Sequence, residues 1–479
     1  MGFISIPFVL VTIASIFIFY LLNDKYRIGY LTVLSCGFIA SYNYYLLSYI
    51  IVYSLINFYI GIKLPYSKFK IALFRTGVLI NLSQLIVLKY ASFAIDPIFN
   101  VFQSNLQISN VSEIIVPIGV SYFTLQGIGY LVNVKMGWEK PEKKLLHFLL
   151  FITFYPKFLS GPIERSNHFL PQLKENKSFN ELQVIDGLRT ALFGVFKKVV
   201  VANQLAPYVL DRFTNLNAVE GYSLWITFLI TPLYLYFDFS GYTDIAIGLA
   251  KTMGIELRPN FNRPFFSENV TTFWKRFHMS LSSWFGDYVF RQISFKRRKW
   301  GVYASTYAVF VTWILFGIWH GAGWTFMLLG LLQAIVINYE FFTKKIRVKL
   351  FSKLPVYLGK WIGRMFTYLF YCVSLVFFFS PNLSSVLLCF KKLVQTSGTI
   401  TLEPMSRAPY TLLIFIPVLL LIELIKNDFH NTNITLESMW WHNNIRTRVF
   451  RWTVFSLIIL FVLLFSVDQE TEQFIYINF

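Results

Sequence analysis

Charge is scarce in this sequence. Only 14% of its 479 residues are Asp, Glu, Lys or Arg, against roughly 25% in ordinary soluble domains. A soluble surface cannot be covered with so few. Acidic residues are the scarcer kind: 24 Asp and Glu against 43 Lys and Arg leave a net charge of +19. Cysteine is almost missing. Cys36, Cys372 and Cys389 are an odd number, each in apolar sequence without metal-type spacing. They read as packed small hydrophobes, with neither a disulfide framework nor a zinc site. Internal repeats, low-complexity tracts and a separate soluble stretch are lacking too, so residues 1–479 read as one membrane domain.

What is abundant is apolar and aromatic. Hydrophobic residues make up 56% and aromatic ones 19%, with a mean hydropathy of +0.55. Runs at 4–22, 303–319 and 452–467 approach the ~20 residues that cross a bilayer. The first lacks a basic start and a small-residue cleavage site, so it reads as a retained helix rather than a removed signal. The expected fold class is all-α, a polytopic membrane protein.

Placement of the positive charge decides between nucleic acid and membrane topology. Lys63, Lys68, Lys70 and Arg75 share one short loop, and Lys135, Lys140, Lys143 and Lys144 another. Lys344, Lys345, Arg347, Lys349 and Lys353 fill a third, while Arg446, Arg448 and Arg451 precede the last apolar run. Basic residues in loops beside spans mark the cytoplasmic side. Residues 91–113 and 467–479 contain no Lys or Arg and fit the outer face. Topology thus accounts for the charge, and no nucleic-acid partner is expected. Alternating these loops predicts helices at about 3–22, 28–43, 46–63, 76–95, 114–134, 356–380, 409–425 and 452–467, with both termini outside.

The middle is irregular. Residues 148–159 are too short to span, and 187–202 mix apolar residues with Arg189, Lys197 and Lys198, which suits an interfacial amphipathic helix. Between Lys251 and Lys299 stand ten Lys or Arg and three acids, Glu256, Glu268 and Asp287. No stretch there can span. Broken elements at membrane depth are tolerated only inside protein or beside a watery cavity.

Two of the six histidines stand in such surroundings. His278 closes Phe-Trp274-Lys-Arg276-Phe-His278, and His320 follows the uncharged run 303–319 in Trp319-His320-Gly-Ala-Gly-Trp324. An ionisable group beside a membrane-buried run usually lines a cavity, pairs, or does chemistry. Imidazole can also take and return a proton near neutral pH. From the residues alone two readings stay open. His320 could equally be a packed polar residue bonding between helices, and Gly317, Gly321, Ala322 and Gly323 are as common at helix contacts as at sites. Segment 272–288 could be an interfacial anchor held by Trp and Lys/Arg, or a basic edge whose Lys275, Arg276 and Arg291 meet phosphates. His147, His168, His430 and His442 lie near basic or polar loop sequence and read as surface groups.

An ordered set of stretches sharpens this: 117–126 (Pro-Ile-Gly-Val-Ser-Tyr-Phe-Thr-Leu-Gln), 160–165 (Ser-Gly-Pro-Ile-Glu-Arg), 236–248 (Tyr-Phe-Asp-Phe-Ser-Gly-Tyr-Thr-Asp-Ile-Ala-Ile-Gly), 260–264, 273–288, 317–326 and 474–479. Together they resemble the membrane-bound O-acyltransferase family, in its bacterial polysaccharide and cell-wall O-acetylation branch. The motifs cover about half the chain, mainly 110–340. Phe277 stands where the family often has Trp, and Gly286 where it often has Arg. The resemblance implies a ring of about 10–12 transmembrane helices, with short re-entrant helices, around a tunnel. It implies His320 as the catalytic residue and His278 as its assistant, with Trp274, Arg276, Ser282, Asp287, Arg291, Trp319 and Trp324 as candidates for substrate or donor binding. No bound cofactor or metal is implied. Acetyl-CoA or an acyl-carrier thioester would be the cytosolic donor, and the partners a secreted SGNH-type acetyltransferase and its glycan acceptor. The expected location is the bacterial inner membrane. D-alanyl transfer to teichoic acid is the alternative within the class. A sugar or lipid-linked sugar transporter is the rival outside it, and an anchoring scaffold without chemistry a further one. A transporter of that kind predicts repeated halves, whereas the broken, charged middle occurs once.

Overall fold

The computed structural model describes residues 5–101, 119–395, 398, 400, 414–428 and 445–466. Residues 102–118, which hold part of the outer stretch 91–113 and the start of the helix expected at 114–134, and 467–479, which hold the outer tail and the 474–479 motif, lie outside them, as do His430, His442 and the side chains of Arg446, Arg448 and Arg451. The described chain is helical, and the only β pairing among its residues is an antiparallel bridge between Phe261 and Phe277.

Helices α1 (Ile6–Leu21), α2 (Asp24–Tyr42), α3 (Tyr44–Lys63) and α4 (Lys70–Val101) open the chain. Asn43 separates the second from the third because its Oδ1 accepts from Tyr45 N (2.7 Å) and Leu46 N (3.3 Å), satisfying N–H groups that the new helix leaves open. Helix α5 (Val120–Met136) lies between two left-handed glycines, Gly119 (φ 80°) and Gly137 (φ 73°), a conformation that costs other residues more. Helix α6 (Leu145–Thr153) is only 9 residues and turns into Tyr155–Lys157, as the short apolar run predicted.

Next come α7 (Ser166–Gln172), α8 (Glu181–Phe196), α9 (Asn203–Thr214) and α10 (Gly221–Thr252). Helix α10 has 32 residues and is buried along most of its length. Helix α8 lies along α10: a Cβ on Gly187 would come within 2.7 Å of Gly248 O, and one on Gly194 within 2.5 Å of Gly241 O. Just after α8, Lys197 pairs with Asp244 at 2.8 Å and Lys198 with buried Asp238, and Lys251 of α10 pairs with Asp186 of α8. A π-helical stretch, Lys197–Ala202, joins α8 to α9.

The non-spanning segment contributes α11 (Val270–Trp274), α12 (Met279–Phe285) and α13 (Arg291–Lys296). Then follow α14 (Val302–His320), α15 (Trp324–Phe342), α16 (Lys344–Phe351), α17 (Val356–Phe379), α18 (Leu383–Val394), α19 (Ile416–Asp428) and α20 (Ile445–Ser466). Among the described residues five helices are long and apolar enough to cross a membrane: α3, residues 70–88 of α4, α14, α15 and α17; Pro7–Leu21 and Trp452–Ser466 are shorter apolar ones. Helix α10 is long enough, at ~1.5 Å per residue, but is enclosed by protein and carries Asp238, Asp244 and Lys251. The chain is an all-α polytopic membrane protein.

Candidate active site

Two segments that cannot span hold the first histidine. Residues 260–262 and 276–279 run antiparallel, with Asn262 N donating to Arg276 O and Met279 N to Asn260 O, both at 2.9 Å. Helix α11 between them is fixed at its start by α15: the Glu340 carboxylate accepts from Val270 N (2.6 Å), Thr271 N (2.8 Å) and Thr271 Oγ1 (2.6 Å). His278 then adopts a left-handed backbone (φ 48°, ψ 49°) and begins α12. Such a conformation costs a non-glycine residue about 1 kcal/mol or more and tends to persist where surrounding structure enforces it. The imidazole is 1% exposed and meets the Phe239 ring edge-on at 4.7 Å.

His320 arrives differently, as the last residue of α14. The small residues around it serve helix packing: a Cβ on Gly317 would fall 2.2 Å from Phe326 O, and one on Gly330 2.2 Å from Trp313 O. That contact locks α14 to α15 and leaves the His320 ring between Phe316 (4.6 Å), Trp319 (4.9 Å) and Phe378 (5.9 Å). Both imidazoles line one cavity of about 20 Å³, walled by Leu235, Phe277, Leu329, Leu375 and Phe378 and by the polar groups of Trp274, Tyr371 and Ser374. That is room for roughly one water molecule.

Hydrogen bonding assigns the proton on His320. Its Nδ1 stands 2.8 Å from Phe316 O, and a carbonyl only accepts, so Nδ1 carries the hydrogen and, in the neutral ring, Nε2 the lone pair. His278 Nδ1 lies 3.2 Å from Asn260 Oδ1. Burial first, and then the nearby His320, hold the His278 imidazole well below the ordinary histidine range, so it is neutral at physiological pH.

The remaining sequence candidates divide. Trp274 lines the cavity and donates from Nε1 to Gln333 Oε1 (2.9 Å), and Gln333 Nε2 donates to Ser374 Oγ (2.8 Å). Trp319 is buried 6.2 Å from the His278 ring. Ser282 is half-buried, and its hydroxyl donates to Phe277 O (3.3 Å). Arg276 is half-buried and Trp324 is 60% exposed; neither lines the cavity. Asp287 is taken up by two cations, Arg165 at 3.2 Å and Arg291 at 2.9 Å, and Arg291 is 76% exposed. His147 departs from its surface reading: it is 6% exposed, because the apolar face of α6 carries it inward. His168 is half-buried and faces Glu164 at 3.0 Å. Sequence reasoning missed Ser374, Phe378 and Leu329, which lie in apolar runs like any others. It passed over Asn260 although that residue opens a quoted motif.

Residues 139–380 match the membrane-bound O-acyltransferase family. The chain is 29% identical to a probable alginate O-acetylase of Pseudomonas aeruginosa, over 82% of this chain and 74% of that one. It is 30% identical to a peptidoglycan O-acetyltransferase of Helicobacter pylori, over 79% of this chain and 76% of that one. A teichoic acid D-alanyltransferase of Bacillus subtilis is 34% identical over 47% of this chain and 60% of its own length. The protein is an O-acyltransferase, and it belongs to the membrane-bound O-acyltransferase family.

Proposed function

We propose that this enzyme carries an acetyl group from a cytosolic thioester, acetyl-CoA or an acyl-carrier thioester, across the inner membrane for O-acetylation of an extracytoplasmic polysaccharide or peptidoglycan. A secreted SGNH-type transferase is the proposed intermediary to the glycan. The observation that carries the reading is the pair of buried imidazoles on one small cavity. In the proposed step an acceptor hydroxyl attacks the thioester carbonyl while its proton passes to His320 Nε2. The carbon–sulfur bond breaks, and the thiolate leaves with a proton returned to it. A hydroxyl needs such a base, and confinement contributes in good cases ~7–11 kcal/mol of barrier. His278 assists, and Arg276 and Arg291 face the donor phosphates.

Acetyl is favoured over D-alanyl by the cavity wall. A D-alanyl group brings an ammonium, and burying an unpaired cation costs several kcal/mol. No carboxylate is among the described residues of the wall, which suits a methyl group instead.

The test is a host lacking its own enzyme, complemented with wild type or variants and assayed for ester-linked acetate on its glycans. His320→Ala should lose transfer by about 10²–10⁴-fold while inserting and purifying normally, and His278→Ala should lose less. Full O-acetylation in cells carrying only His320→Ala would overturn the base assignment, and D-alanyl ester in place of acetate would overturn the acyl group.

A further inference from the structure

We infer that Asn260 is a positioning residue that fixes the His278 tautomer, so that in both neutral rings the lone pair lies on Nε2. The inference rests on reading the two histidines as an acyl-transfer pair, and its geometry is over-determined. Asn260 Oδ1 lies 3.1 Å from Ser280 N and 2.8 Å from Ser280 Oγ as well as 3.2 Å from His278 Nδ1. A backbone N–H can only donate, so the atom facing Ser280 N is the amide oxygen and not its nitrogen. The Ser280 hydroxyl is likewise oriented, since its oxygen already accepts from Ile163 N at 3.0 Å and its proton goes to Asn260. An oxygen committed as acceptor leaves His278 Nδ1 one role, that of donor. Its Nε2 therefore carries the lone pair, as in His320, where Phe316 O imposes the same tautomer.

Two rings that share this tautomer on one cavity have a chemical consequence. Neither neutral ring can donate to a thioester oxygen, so donation begins only when a proton enters the pair. Like charges then keep the pair from holding two protons at once. The proton taken from the acceptor hydroxyl is thus the one that makes the pair an electrophile, and it is released to the thiolate as the carbon–sulfur bond breaks. Among the described residues, the titratable side chains lining the cavity are these two imidazoles and the Tyr371 hydroxyl, with the Phe239 and Trp319 rings packed against His278.

Two measurements separate this from a structural role. In wild-type protein carrying ¹⁵N-histidine, the signal lost in His278→Gln should show a protonated Nδ1 and an unprotonated Nε2. The opposite pattern overturns the inference whether or not the protein transfers acyl groups. In transfer assays Asn260→Ala should lower the rate by about 10–100-fold without moving the acid limb of its pH profile. Asn260→Asp keeps the acceptor oxygen but adds a charge that favours imidazolium, so its acid limb should move up by about one pH unit. An acid limb unmoved in folded Asn260→Asp also overturns the inference. If that variant does not fold, the nitrogen spectrum of the wild type still decides.

Discussion

At the scale of single residues, burial acts on titratable groups well away from the histidines. Glu139 lies in the loop after α5, where Ser166 Oγ donates to its Oε1 at 2.5 Å. Burial pushes its carboxyl up to about 7, against the smaller opposing effect of the Ser166 and Asn133 hydrogen bonds. In the unfolded chain this carboxyl loses its proton near 4.5. Between the two values the folded protein holds the extra proton, so stability falls as pH rises through that window and stays lower above it. Glu139→Gln removes the loss. Its melting temperature in detergent should therefore gain on the wild type from pH 4.5 to pH 8, and parallel curves would show that Glu139 is ionised throughout.

At the scale of elements, the contact between α10 and the π-helical stretch after α8 shows what a buried ion pair demands. Lys198 is 8% exposed and Asp238 not at all. Removing one partner strands the other, which costs about 3–5 kcal/mol, whereas replacing both with apolar residues is often neutral. Lys198→Met should accordingly lower the melting temperature and yield sharply, and Lys198→Met with Asp238→Leu should recover much of the loss. A double variant no better than the single would point to a role for the charges beyond pairing. The same pair marks the limit of sequence reading. Helices such as α3 and α17 were legible because apolar length and basic flanks act locally. The partners of Lys197 and Lys198 were not legible because they lie 47 and 40 positions further on, on a helix that single-segment patterning cannot dock. The site divides likewise. His278 and His320 stood out as ionisable groups in apolar sequence, and Trp274 and Trp319 came with them. Ser374 and Phe378 did not, since the packing of α17 against α15 alone brings them to the cavity.

At the scale of the whole molecule, orientation follows from charge, and one helix isolates the test. Helix α17 carries 24 residues between the basic stretch Lys344–Phe351 and the exposed turn at Pro381–Ser384. At ~1.5 Å per residue it exceeds the hydrocarbon thickness, so it is long enough for its ends to lie on opposite sides of the bilayer. From the excess of Lys and Arg we propose that the 344–353 end is the cytosolic one. A cysteine at Ser384 should thus react with an impermeant thiol reagent added to intact cells, and so should one in 103–110 or after Asp468. Cysteines at Lys68 or Lys345 should react only after permeabilisation. The background for this needs Cys36 replaced, because it is half-exposed, while Cys372 and Cys389 are buried. Labelling of Ser384→Cys and Lys345→Cys from the same side would mean that α17 does not span. The reverse pattern would place both termini inside and turn Arg276 and Arg291, proposed above to face the donor, away from the thioester pool, which would remove the proposed entry route altogether.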